Sequence, residues 1–307
     1  GFLLGLQSDF TICIASENTA DYIGRDSADI FQRPITEVFS KAAVEAIKAR
    51  VDYLSGPDAS ERIFGVPLQD GGKPFDLAIH FSGVYLIIEA EPSEIEYDTN
   101  SGEIVRLMLS RVRKTKGVIE LAQESARQLK VLTGFDRVMV YRFHPDGSGE
   151  VIAEVAASGL EPFFGLHYPA SDIPAQARTL YTRNWLRIIA DVGAKPVPLA
   201  STSTHSAALL DLSMSTLRSV SPIHIEYLQN MGVGASMSVS IFGRPAVGPS
   251  STRPLRSPSS STSCATTPCA TKVLPASVPV AMRTPSRTAR GKFSRCAGTV
   301  MAAFSRT

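Results

Sequence analysis

The chain has 307 residues, enough for two or three domains. No run reaches about 18 uninterrupted apolar residues, so no membrane-spanning helix is expected. The net charge of +2 hides an asymmetry: Gly243–Thr307 holds ten Lys and Arg and no Asp or Glu, leaving 21 basic and 29 acidic residues in Gly1–Phe242, an acidic body that argues against a nucleic-acid partner.

Gly1–Glu96 reads as a small α+β domain. The opening "GFLLGLQSDF" lacks a basic leader and a cleavage pattern, so it reads as a strand rather than a signal peptide. It also lacks a starting Met, so an upstream segment is expected. "FTICIASEN" is a second strand, and "ASENTADYIG" turns into a short helix ended by Gly24. Cys13 is the one cysteine of the acidic body, a usage that suits a reducing cytoplasm. "SKAAVEAIKARVDYL" is helical, with Ala43, Ile47 and Val51 on one face and Val44 and Leu54 beside it. "RIFGVPL" and "PFDLAIHFSGVYLIIEAEP" read as strands around the turn "QDGGK". One helix among short antiparallel strands is the pattern of a PAS-type sensor module.

Residues 97–242 read as a second α+β domain of the GAF kind. Ile104–Gly134 is helical, and its continuous part puts Val118, Leu121, Ala122, Leu129 and Leu132 on one side, with Gly134 as C-cap. "DRVMVYRFHPDGSGEVIAEVA" is a two-stranded hairpin. A helix over Ala175–Ile189, a polar loop, a helix over Leu217–Met231 and the strand "GASMSVSIF" follow. Gly243–Thr307 contains 20 Ser and Thr and 8 Pro with little periodicity, a disordered composition. Cys264 and Cys269 have no matching His pair, so a zinc site there is not expected.

"HYPASDIPAQAR", His167–Arg178, sets an aspartate between two prolines. Residues before Pro169 and Pro174 are pushed out of the α region, and Pro174 suits the first turn of a helix. Ser171 or Asp172 can cap that helix. Asp172 therefore sits at a stiff corner, either as a plain turn residue or as something held ready for a ligand. Asp172, Ser221 and His224 are the residue types of a hydrolase triad, but no nucleophile-elbow motif supports one.

"DRVMVYRFHPDGSGEV", "YPASDIPAQARTLYTRNWLR" and "LRSVSPIHIEYLQNMGVGASMSVSI" together resemble bacterial phytochromes, from about Gly1 to Phe242. That family comprises bilin-binding red/far-red photoreceptors built as PAS–GAF–PHY plus an output module, often a histidine kinase. The resemblance implies that Asp172 lies beside the nitrogens of biliverdin, its carbonyl accepting pyrrole N–H groups, and that His224 packs near them. It implies propionate binding by Arg218 and Arg187, with Tyr181 beside them, and by Ser236 and Ser238. Tyr141, Tyr168 and Tyr227 match the wall around the ring that rotates on photon absorption. Ile173, Pro174, Ser221 and Met139 complete the implied pocket. Arg suits a carboxylate because its planar fork offers two N–H bonds. Carbonyls fixed before the pigment arrives do not have to be ordered by it.

Two departures qualify the match. Bacterial members hold the pigment through a Cys upstream of the PAS core, and Cys13 does not match it; plant and cyanobacterial members use a Cys where this chain has Ile223. Noncovalent biliverdin binding is therefore expected. After "SVSI" the family continues with a strand like "GRLWGL" and a segment ending "HHY", whereas this chain reads "GRPAVGPSSTRPL". Codons for Pro245–Pro249, read one base later, admit Arg-Leu-Trp-Gly-Leu, so the tail reads as an out-of-frame translation that leaves a sheet edge unpaired. The sequence thus points to a cytoplasmic PAS–GAF photosensory fragment, a receptor rather than an enzyme, with a homodimer through the GAF helices implied. A pigment-free dimerisation or metabolite-sensing module is the alternative.

Overall fold

The computed structural model describes residues 1–93, 101–202, 207, 210–241 and 299–304. In chain order the elements are β1 (Phe2–Leu6), β2 (Ile12–Ser16), α1 (Thr19–Ile23), α2 (Ser27–Ile30), α3 (Lys41–Val51), β3 (Ser60–Pro67), β4 (Pro74–Ser82), β5 (Tyr85–Pro92) and α4 (Ser101–Val112). They continue with α5 (Val118–Thr133), β6 (Arg137–Phe143), β7 (Gly149–Ala156), β8 (His167–Tyr168), α6 (Ala175–Arg183), β9 (Leu186–Ile189), β10 (Leu199–Ser201), α7 (Pro222–Asn230), β11 (Ser236–Ser240) and β12 (Thr299–Phe304). Two sheets result, ordered β10–β2–β1–β5–β4–β3 and β8–β7–β6–β12–β11–β9. The fold is α+β, as the patterning predicts. Among the described residues, two compact units interleave along the chain: Gly1–Thr115 with Arg187–Ser236, and Lys116–Leu186 with 237–241 and β12.

In the first unit the sheet is antiparallel throughout. Strand periodicity sorts its two faces. Phe2, Leu4 and Leu6 of β1, Phe75, Leu77 and Ile79 of β4, and Leu86, Ile88 and Ala90 of β5 enter one core with Ala43, Val44 and Ile47 of α3. Phe2 anchors it, packed against Tyr22, Phe39 and Phe75 with ring centroids 5.7, 6.5 and 5.9 Å away. The Ser40 hydroxyl caps α3, accepting the Ala43 N–H at 3.2 Å. Ser40→Ala is expected to cost about 1 kcal/mol, read as a lowered urea midpoint of this unit.

The reading of residues 190–216 as a polar loop needs correction. Leu199–Ser201 form β10, antiparallel to β2 with Ala200 opposite Ala15. Glu17 N–H donates to Pro198 O at 3.0 Å and Thr202 N–H to Cys13 O at 3.1 Å. The open edge of β2 offers backbone donors and acceptors that need partners, and a three-residue strand supplies them with no periodicity of its own.

In the second unit β6 and β7 are the expected hairpin. Gly134 ends α5 in the left-handed region (φ 68°), its N–H returning to Lys130 O. The buried stripe of α5 is Ala122, Ser125, Ala126 and Gln128, whereas Val118 and Leu132, expected on the core side, are exposed. Small residues let the helix lie close to the sheet, and the larger aliphatics fall on the other side. Two helix boundaries also differ from expectation. The segment after Pro174 leaves the helix at Asn184, whose backbone is extended (φ −111°, ψ 100°), so Arg187 stands on β9. The helix expected from Leu217 starts at Pro222, a proline in the first turn, so Arg218 precedes it.

Of Gly243–Thr307, only Thr299–Phe304 are described, as β12, parallel to β6 with Val300 opposite Val138. An unpaired edge was expected in this sheet; β12 lies between β6 and β11 and pairs with β6 there. The out-of-frame reading itself falls on residues outside those described.

Candidate functional site

The proline corner is built as follows. Asp172 N–H donates to Pro169 O at 3.2 Å, and the Ser171 hydroxyl lies 3.3 Å from Asp172 Oδ1. Neither side chain caps α6; the residue ahead of the helix is Pro174 itself, extended at ψ 152°. A proline there cannot continue the helix backwards, and a cap from Asp172 or Ser171 would sit two or three residues too early. The corner is held instead by Arg178, whose guanidinium reaches back one turn of α6 to donate to Ala170 O at 3.0 Å and to Ile173 O. Sequence reasoning missed Arg178 as a positioning residue. Its signal was its place: a long donor one helical turn after two prolines, over carbonyls with no helical partner. Asp172 is exposed, and Ile173 is half-buried.

Tyr141 and Tyr168 meet in the second unit, ring centroids 5.8 Å apart. Gly149, opposite Tyr168 in the ladder, makes this possible: a Cβ there would lie 2.1–2.3 Å from the Tyr141 ring. Tyr141 also packs edge-on against Phe143 at 5.0 Å, and Met139 is buried on the same strand. The Tyr181 carbonyl accepts the Ser240 hydroxyl at 2.8 Å, tying α6 to the end of β11. Ser236 and Ser238, alternate residues of β11, are both buried.

The other expected residues lie in the first unit. Arg218 donates to Ser215 O at 2.8 Å from its guanidinium. His224, half-buried on α7, stacks on Tyr227 with centroids 6.4 Å apart and planes 12° from parallel. Burial holds its imidazole below the ordinary pKa, and the positive charges of Arg187 and Arg218 press it further down. Three residues chosen from the sequence are therefore electrostatically coupled, two positive charges disfavouring protonation of one imidazole. Ser221 precedes α7 without a side-chain cap bond and is exposed, as is Ile223. Cys13 is buried in β2, its thiol directed to Gly5 O at 3.3 Å and its pKa raised by desolvation, the opposite of a reactive thiolate.

A buried polar cluster escaped the sequence reading. On the sheet face opposite the first core, His80 and Glu89 are fully buried. His80 Nε2 lies 3.2 Å from the Ser215 hydroxyl and Nδ1 lies 3.7 Å from Glu89 Oε1. Glu89 accepts the N–H groups of Thr216 at 3.0 Å and Leu217 at 2.6 Å. Ser, His and Glu in this order have the outline of a hydrolytic triad, but Ser215 is fully buried and no substrate reaches it. Burial pushes Glu89 up to about 7 and His80 down to about 4, so both tend to neutrality. The cluster fastens Ser215–Leu217, and with it the backbone leading into Arg218, to the sheet.

The PAS fold family matches residues 1–93. Cyanobacterial phytochrome B of Nostoc sp. is 40% identical over 251 residues, 79% of this chain and 33% of that protein. A bacteriophytochrome of Xanthomonas campestris pv. campestris is 48% identical over 157 residues, 50% of this chain and 25% of that protein. The chain thus spans about a third or less of these curated relatives. The solved chromophore-binding domain of Stigmatella aurantiaca phytochrome P1 superposes with a TM-score of 0.70 at 38% identity, covering 78% of this chain and 81% of that one. With that domain matched along four-fifths of its length, and the same likeness carried by the three motifs around Tyr141, Asp172 and His224, the chain belongs to the phytochrome family.

Proposed function

We propose that this chain is the PAS–GAF part of a red/far-red photoreceptor and binds biliverdin noncovalently, the pigment signalling by isomerisation of one double bond. The observation that carries the reading is the likeness, at 38% identity and a TM-score of 0.70, to a solved phytochrome chromophore-binding domain covered over 81% of its length. A linear tetrapyrrole brings two propionates, and guanidinium pairs meet carboxylates with two parallel N–H bonds each. Arg187 and Arg218 would hold propionates, helped by Ser236, Ser238 and Tyr181. The Arg178-braced corner would present the Asp172 carbonyl to pyrrole N–H groups. Tyr141, Tyr168 and Tyr227 would wall the moving ring, with Met139, Ile173, Pro174 and Ser221 around them. Light supplies the energy, and the protein supplies packing and charge. Exposed Val118, Ile119, Val131 and Leu132 on α5 support association with a second copy. A kinase output belongs to a longer parent.

Mixing the purified chain with biliverdin tests this. A structured red band that bleaches under red light is expected, and an unchanged free-pigment spectrum refutes it and favours a pigment-free module. Attachment is tested separately by a denaturing gel stained with zinc. No fluorescent band is expected, since Cys13 is buried with a raised pKa and Ile223 stands where plant and cyanobacterial relatives carry the anchoring Cys, and a retained band overturns the noncovalent part alone.

A further inference from the structure

We propose that His144, Glu150 and His167 form a binding site for a divalent transition-metal ion such as Zn²⁺, at the turn end of the β6–β7 hairpin. Each residue offers one ligand atom, and these atoms all lie within 4.8 Å of one another. The ladder fixes the arrangement. Glu150 and His167 are directly opposed residues of β7 and β8. His144 opens the hairpin turn, its N–H bonded to Ser148 O at 2.8 Å, which returns its ring to the same end of the sheet. The two imidazoles are nearly parallel, 11° apart with centroids 6.4 Å from each other. His144 Nε2 is already 3.6 Å from Glu150 Oε2.

Zinc bonds of about 2.0–2.2 Å at a tetrahedral angle place neighbouring ligand atoms roughly 3.4 Å apart. The His144–Glu150 separation nearly meets this, and rotation of the exposed His167 closes the remainder. Two imidazoles and one carboxylate are the donor set of open zinc sites, with the fourth position left to water. Arg142 donates to Glu150 Oε2 at 2.8 Å and orients the carboxylate. Its positive charge weakens cation binding, and the Asp146 carboxylate, which interacts electrostatically with His144 in the same turn, opposes that effect. Nothing in this site depends on bound pigment.

Calorimetric titration of the full, tag-free chain with ZnCl₂, without biliverdin, tests the proposal. His144→Ala and His167→Ala are each expected to weaken zinc binding roughly tenfold or more. The double variant should lose the site, so its residual heat measures zinc held by other residues, including the tail cysteines. Glu150→Gln keeps the shape and removes the charge, and should weaken binding similarly. Far-UV circular dichroism checks that each variant folds; His167 is exposed, so its variant should fold as the parent does. Isotherms of the parent and the folded His167→Ala variant that coincide overturn the proposal, as does a parent that evolves no heat.

Discussion

Replacing Arg187 and Arg218 together by Ala is expected to weaken biliverdin binding by roughly a hundredfold or more, since each charge-assisted contact contributes about 1.5–3 kcal/mol. The effect is read by titrating the pigment's red band. Each single variant should retain part of the affinity, because on the proposed reading the other guanidinium would still meet a propionate. The same substitutions remove the charges that depress His224, so its imidazole should titrate at higher pH in the double variant, visible by NMR even without pigment. Unchanged affinity with a shifted His224 would falsify propionate binding while leaving the electrostatic neighbourhood intact. Lys in both positions should recover charge but not the bidentate geometry, giving an intermediate affinity.

Glu89→Ala should destabilise the first unit by about 3 kcal/mol, because it strands the N–H groups of Thr216 and Leu217 inside the protein. Glu89→Gln separates packing from charge. The folded pKa of Glu89 is raised from its ordinary 4.5 to about 7, so its contribution is full below the ordinary value and is lost as pH rises through about 7. His80 is depressed from 6.5 to about 4, so its contribution is present above 6.5 and lost as pH falls through about 4. Urea unfolding between pH 5 and 8 should therefore show the parent losing ground to Glu89→Gln by about 2–3 kcal/mol. Parallel profiles would mean that Glu89 is already ionised in the fold.

Much of this was legible in the residues. β1 and β2 announce themselves by continuous apolar runs, Gly24 and Gly134 by their places after helical periodicity, and the β6–β7 hairpin by its turn. The first helix end was misread because "RNWLRII" lacks a Gly or Pro and tertiary pairing of β9 decided it, whereas in "LRSVSP" the signal was present: Pro222 suits a first turn, so the helix starts there and not at Leu217. β10 could not be seen at all: three residues carry no period, and their partner lies some 185 positions earlier in the chain. His80 and Glu89 look like solvated charges on alternating strands until Ser215–Leu217 closes over them. Arg178 shows the converse, since its type and spacing were visible while the carbonyls it serves were not.

The pairing of β10 with β2 carries a consequence for synthesis. A ribosome making this protein releases Ile14–Ser16 long before Leu199–Ser201 exist. Until then the nascent first sheet presents a bare, largely apolar border strand, the kind of surface that invites chaperones or neighbouring nascent chains. A protein truncated ahead of Leu199 keeps that border for good, and should be recovered from cells as inclusion bodies rather than as a trimmed sensor.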